Sequence, residues 1–139
     1  MTNPATRSLE WRPDGRRFEV ATSAYPLYAG LRAAITLHHE FISQAECYRQ
    51  ICKLSGYLWQ QLTDLPGINC LRKSPPESGL VSFQLTTVGK HSQLVEFLEK
   101  QGFLLRTIGN PDCVRACVHY LTTIEEIDQL VATIQKFGN

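Results

Sequence analysis

The sequence has little of what usually announces a function. Charge of one sign is scarce: 14 Lys and Arg stand against 13 Asp and Glu, a net charge of +1. No broad field therefore gathers nucleic acid or an anionic membrane, and neither is expected as a partner. No apolar run approaches the roughly 20 residues a bilayer crossing needs. There is no CxxC pair, and no histidine completes a zinc pattern, so no metal site is expected. His38 and His39 are adjacent on one helix, point in different directions and cannot chelate as an i, i+4 pair. No glycine-rich phosphate loop follows a strand. No Ser-His-Asp arrangement follows from spacing, and no repeat or coiled coil is visible. A signal peptide is lacking too, and the five cysteines, Cys47, Cys52, Cys70, Cys113 and Cys117, are an odd number. Reduced thiols in a cytoplasmic protein are the reading this supports.

What is there is an ordinary globular balance, 43% apolar and 19% charged over 139 residues. That is enough for one core and too little for two ordinary domains. A near-neutral surface gives little colloidal repulsion, so a homodimer is a natural expectation.

The punctuation is clear from Pro26 onward. Residues 1–15 read as an extended arm, and Arg16 to Val20 as a short strand or extended connection. Pro26 suits the first turn of a helix, and Leu27, Leu31, Ala34, Ile35 and His38 share one helical face to about Phe41. Ser43 with Glu46 forms a capping-box signature for a helix over Gln44 to Leu65, stopped by Pro66-Gly67. Short strands follow at Ile68 to Arg72 and Leu80 to Leu85, with a loop over 74–79 between them. A helix over His91 to Gln101 ends at Gly102. Strands over Phe103 to Ile108 and Cys113 to Tyr120 flank a turn at Gly109 to Asp112. A last helix over Thr123 to Phe137 has Thr122 or Thr123 as its cap and Glu125-Glu126 at its positive end. After Ser43 the order is helix, strand, strand, helix, strand, strand, helix. That predicts a two-layer α+β domain, a mixed or antiparallel sheet with helices on one face. The chain divides as 1–42, an arm and helix, and 43–139, the α+β domain.

Arg115 is the residue to explain. It sits inside an alternating, largely apolar strand. Val114, Ala116 and Val118 read as the core side, which turns Cys113, Arg115 and Cys117 away from it. A guanidinium presents a planar fork of donors that matches a carboxylate bidentately. Arg106, one strand earlier, reaches the same neighbourhood across the turn, and two arginines without an acid favour an anion. The plainer alternative is a wet sheet face, with Arg115 paired to Asp112 or Glu125. Arg16, Arg17, Thr22 and Ser23 form a donor group just before a helix start, where a phosphate could be held. A short Ser/Thr-rich helix entry without any ligand is the alternative there. The cysteines read chiefly as apolar neighbours; Cys113 and Cys117 lie too far apart along one strand to bridge each other.

From about Arg16 to its end the chain resembles the C-terminal part of class V aminotransferase-like enzymes. These are fold-type-I pyridoxal-phosphate (PLP) enzymes, including cysteine desulfurases, cystine C–S lyases and isopenicillin-N-epimerase-like proteins. The segment Arg16 to Ser23 with Pro26 to Ala34 is similar to the end of their large domain. Phe103 to Leu130, with its Thr-x-Glu-Glu-Ile-Asp helix start, is similar to the end of their small domain. The resemblance implies that Arg115 holds a substrate α-carboxylate and that Arg106 supports it. It also implies that Thr22, with Ser23 beside it, reaches the cofactor phosphate of the other subunit. The family has glycine where this chain has Ala21.

None of Lys53, Lys73, Lys90, Lys100 or Lys136 stands where the resemblance would put the cofactor lysine. The isolated chain is therefore expected to hold no cofactor and to be inactive on its own. PLP enters only if a large-domain fragment carrying the lysine completes the site. On this reading the chain is a truncated or split relative of such an enzyme. Two alternatives stay open: a non-catalytic amino-acid-binding or protein-interaction module, and an independent enzyme using a cysteine thiolate.

Overall fold

A computed structural model describes residues 11–18, 24–87 and 89–138. The chain forms two compact units, Met1–Phe41 and Ile42–Asn139.

The first unit contains a 3-10 turn at Gly15–Phe18 and helix α1 at Tyr25–Phe41. The turn corrects the strand or extended piece expected from Arg16. Asp14 accepts from the Arg16 backbone N–H and from its guanidinium, at 3.0 and 2.6 Å, and this local pairing curls the chain. Arg17 lies over the Phe18 ring at 4.8 Å. Helix α1 has no buried side chain, and Leu27, Tyr28, Leu31 and Ile35 along it are all exposed.

The second unit is built on α2 (Gln44–Thr63), β1 (Ile68–Cys70), β2 (Leu80–Leu85), α3 (His91–Lys100), β3 (Arg106–Gly109), β4 (Asp112–Cys117) and α4 (Ile124–Gly138). The strands form one antiparallel sheet in the order β1-β2-β4-β3. It is the two-layer α+β arrangement, with α2, α3 and α4 on one face. Val81 and Phe83 from β2 and Val114 and Ala116 from β4 meet Leu54, Leu58 and Leu62 of α2. Leu94 and Leu98 of α3, with Ile127, Leu130, Val131 and Ile134 of α4, complete that core. The helical residues recur at spacings of three and four and the strand residues at two. Each element therefore turns one apolar stripe inward.

The ends of the elements have local causes. Ser43 Oγ accepts from the Glu46 N–H and starts α2. Asp64 caps its end, so α2 stops short of the Leu65 expected from the Pro66-Gly67 signal. Thr123 Oγ1 accepts from the Glu126 N–H, while Glu126 Oε2 accepts from the Thr123 N–H, a reciprocal capping box at α4. Gly102 ends α3 with a φ of +88°, a left-handed conformation that glycine adopts without strain.

Three strand limits differ from the sequence reading. β1 ends at Cys70, although Leu71 N–H still reaches the Ser82 carbonyl at 3.0 Å. β3 starts at Arg106 and not at Phe103; Leu98 accepts from the Phe103 N–H, which keeps that residue in the α3 exit turn. β4 ends at Cys117 and not at Tyr120: Val118 N–H still donates to its in-register partner, the Gly79 carbonyl, at 2.7 Å, but the His119 N–H turns back to Thr122 Oγ1 at 3.0 Å. His119, expected in a strand, is an exposed turn residue whose Nδ1 accepts from Leu121 N–H.

Candidate functional site

The helices cover one face of the sheet, and the site lies on the other. In an antiparallel pair, residues directly opposite share a face. Arg115 is opposite Ser82 on one side and Arg106 on the other. Leu71 N–H closes the row by donating to the Ser82 carbonyl. The row across the outer face is therefore Arg106, Arg115 and Ser82. Beside it runs a second row, Ile108, Cys113, Gln84 and Asn69, and on the other side Cys117 faces Leu80. None of these outer-face positions is acidic.

The register thus brings Arg106 and Arg115 into direct cross-strand opposition. Neither makes an ion pair or hydrogen bond among the described residues; in particular Arg115 is not paired with Asp112 or Glu125. Like charges placed opposite each other weaken a sheet. An arrangement that keeps both, half-buries Arg115 and supplies no carboxylate from its own strands is suited to an anion brought from outside. Ser82, which sequence reasoning did not single out, adds a hydroxyl in the same row; only the strand register could reveal it.

The neighbouring thiol is held toward its protonated form. Burial pushes the Cys113 thiol above its ordinary range, and the Asp112 carboxylate adds to this; Arg115 and a hydrogen bond with Ser82 act the other way. Burial likewise raises Cys70. Thiolate chemistry gains no support from either. All five cysteines are free.

The other candidate residues separate from this row. Thr22 and Ser23 lie outside the described residues. Arg16 is not a free donor for a phosphate, since Asp14 takes its guanidinium and holds its own carboxyl below the usual range in doing so. No lysine stands on any of the four strands. Among the described residues no three His, Cys, Asp or Glu side chains gather as a metal ion would need. No helix among them is long and apolar enough to cross a membrane.

The pattern of the aminotransferase class-V family matches residues 2–130. The chain belongs to that family. Two solved structures of the cystine C–S lyase C-DES show the class-V relationship in three dimensions. A mutant with glycine covalently linked to the PLP cofactor is 46% identical with a TM-score of 0.80. The complex with its reaction product, cysteine persulfide, is 46% identical with a TM-score of 0.79. In both cases the match covers 97% of this chain and 35% of C-DES. The cysteine desulfurase CsdA from Escherichia coli shares the fold at 20% identity and a TM-score of 0.72, over 88% of this chain and 32% of that one. The chain thus spans about a third of the length of these class-V enzymes. No curated protein matches it.

Proposed function

We propose that this chain supplies the substrate-carboxylate half of a class-V, PLP-dependent site. Its outer sheet face would hold the α-carboxylate of an amino-acid substrate between Arg115 and Arg106, with Ser82 as an added donor. The single observation that carries this reading is the direct opposition of the two arginines on an acid-free face. A carboxylate laid across them would accept from both guanidinium groups and relieve their mutual repulsion.

The residues fit one half of the family's chemistry and not the other. PLP, when bound, supplies the electron sink for bond cleavage next to an amino-acid Cα. Its lysine anchor has no counterpart on the described strands, so that group belongs to the large-domain part of the fold. The chain's own part is to bind and orient. A fixed carboxylate leaves the substrate one way to present its reacting bond, and orientation of this kind is a large share of catalysis. The segment up to Phe41, with its exposed Leu27, Leu31 and Ile35, belongs on this reading to the large-domain side. Thr22 and Ser23 would there serve the cofactor phosphate. The similarity to C-DES makes carbon–sulfur cleavage of a cystine-like amino acid the favoured reaction.

The test is complementation. The chain is mixed with a lysine-bearing large-domain fragment of a similar C–S lyase, and cystine cleavage is followed. Activity is expected only in the mixture, and Arg115→Ala should lower kcat/KM by about a hundredfold, as for removal of one partner of a buried charge pair. Two results would refute the proposal. One is undiminished activity in the Arg115→Ala mixture. The other is a borohydride-fixed PLP adduct on a lysine of this chain alone.

A further inference from the structure

The backbone ladder between β2 and β4 stops before the strands do. Its pairs run Leu80–Cys117, Val81–Ala116, Ser82–Arg115 and Phe83–Val114. Continued in the same register, Gln84 would face Cys113 and Leu85 would face Asp112. Side chains make those last links. Gln84 Nε2 donates to the Asp112 carbonyl at 2.7 Å. The Leu85 N–H donates to His91 Nε2 at 3.0 Å. On the far side of the same ring, His91 Nδ1 lies 3.0 Å from Asp112 Oδ1. An imidazole therefore stands between the two residues that the register would otherwise join.

We infer that His91 is a positioning residue for the arginine row. In its neutral, Nδ1-protonated form it bridges Leu85 and Asp112 and so fixes the β3–β4 hairpin that carries Arg106 and Arg115. The role assigned to the hairpin rests on the carboxylate-binding reading above; the bridge itself does not.

Several observations converge on this. The His91 side chain is 7% exposed although it opens a helix. A ring nitrogen that accepts a backbone N–H cannot carry a proton, so the proton is on Nδ1, facing the carboxylate. Nδ1 is buried and has no hydrogen-bond partner among the described residues, so the Asp112 carboxylate meets it as a charge–dipole contact. Asp112 has the same strand parity as Val114 and Ala116, so the bridge works from the helix side, behind the arginines. β3 is an edge strand joined to the sheet through β4 alone. The residue that anchors the start of β4 therefore also sets where β3, with Arg106, comes to lie. An aliphatic side chain at position 91 would leave the Leu85 N–H without its partner.

Nitrogen-15 NMR of the imidazole ring in the full chain tests the bridge directly. Nε2 is expected unprotonated and Nδ1 protonated; an Nε2-protonated ring would overturn the inference. Amide exchange tests the positioning. His91→Ala should speed exchange of the Leu85 amide and the β3–β4 hairpin amides by about tenfold, the loss of one hydrogen bond, while α2 and α4 stay protected. His91→Gln, whose carbonyl can accept and whose amino group can donate, should restore protection. Asp112→Ala should loosen the same hairpin and leave the core, which keeps the inference testable if His91→Ala does not fold. Equal loosening of the whole domain, or no change in the hairpin, would overturn it. Acetate titrated against the Arg115 Nε–H signal separates the two readings. A response in the wild type that weakens in His91→Ala and returns in His91→Gln supports both. No response in the wild type defeats the carboxylate reading alone, and the exchange data still decide on His91.

Discussion

Arg106→Gln should make the free protein more stable, because it removes a repulsion that the fold tolerates. Arg106 and Arg115 are direct cross-strand partners, and among the described residues no acid stands on the outer positions of the four strands. Two unit charges at a cross-strand spacing of about 6 Å repel by about 0.7 kcal/mol in water, and screening at physiological ionic strength reduces this to about 0.3 kcal/mol. Both values fall in the range measured for exposed cross-strand pairs, roughly 0.2–1 kcal/mol. Glutamine keeps most of the side-chain length and removes the charge. For a folding unit near 100 residues, 1 kcal/mol corresponds to about 4–8 °C. The expected gain is about 3–5 °C at low salt and about 1–2 °C at physiological salt. Thermal unfolding followed by circular dichroism at the two salt concentrations is the assay. Acetate should stabilise the wild type more than the variant, because it replaces the missing anion. A variant less stable than the wild type, with a salt response equal to that of the wild type, would refute the reasoning and show that Arg106 already has a favourable partner.

Three further outcomes follow from packing and hydrogen bonding. Gly79→Ala should destabilise by about 1–3 kcal/mol in a denaturant titration, since its methyl group would run into the Val118 carbonyl oxygen and that oxygen is backbone. Gly56→Ala should instead stabilise by up to about 1 kcal/mol in the same titration: it lies inside α2, and the nearest atom to the new methyl is Pro75 Cβ at an ordinary 3.8 Å. Tyr57 Oη donates to Asp128 Oδ1 at 2.7 Å and ties α2 to α4, and that bond raises the phenol above its ordinary value. The folded form therefore favours the protonated phenol. Its contribution is complete below the unfolded value near 10 and is lost as pH rises through the higher folded one. The stability gap between wild type and Tyr57→Phe should accordingly be constant at neutral pH and close at strongly alkaline pH.

The chain itself encoded most of the elements, because their causes are local. The three-and-four spacing of Leu54, Leu58 and Leu62, the alternation of Val81 and Phe83, the Ser43 cap and the Gly102 stop each need only neighbours along the chain. Alternation also turned Arg115 to the side opposite Val114 and Ala116. The limits that went astray are those set by one particular acceptor, which no periodicity announces. Thr122 ends β4 by taking the His119 amide, Leu98 delays β3 by taking the Phe103 amide, and Asp14 curls a segment that had looked extended.

The site divides in the same way. Sequence could mark two arginines as unusual but could place them only near each other across a turn. The tertiary structure decided that Arg106 and Arg115 are direct partners, that Ser82 joins their row, and that the outer positions of the described strands hold no acid. Strand register fixes such relations: the β3–β4 hairpin sets the arginine pair, and Ser82 joins it through β2–β4 pairing between segments more than 20 residues apart. His91 is the plainest case. By sequence it is a helix's first residue, and only folding sets its ring between Leu85 and Asp112, where the ladder leaves room for it.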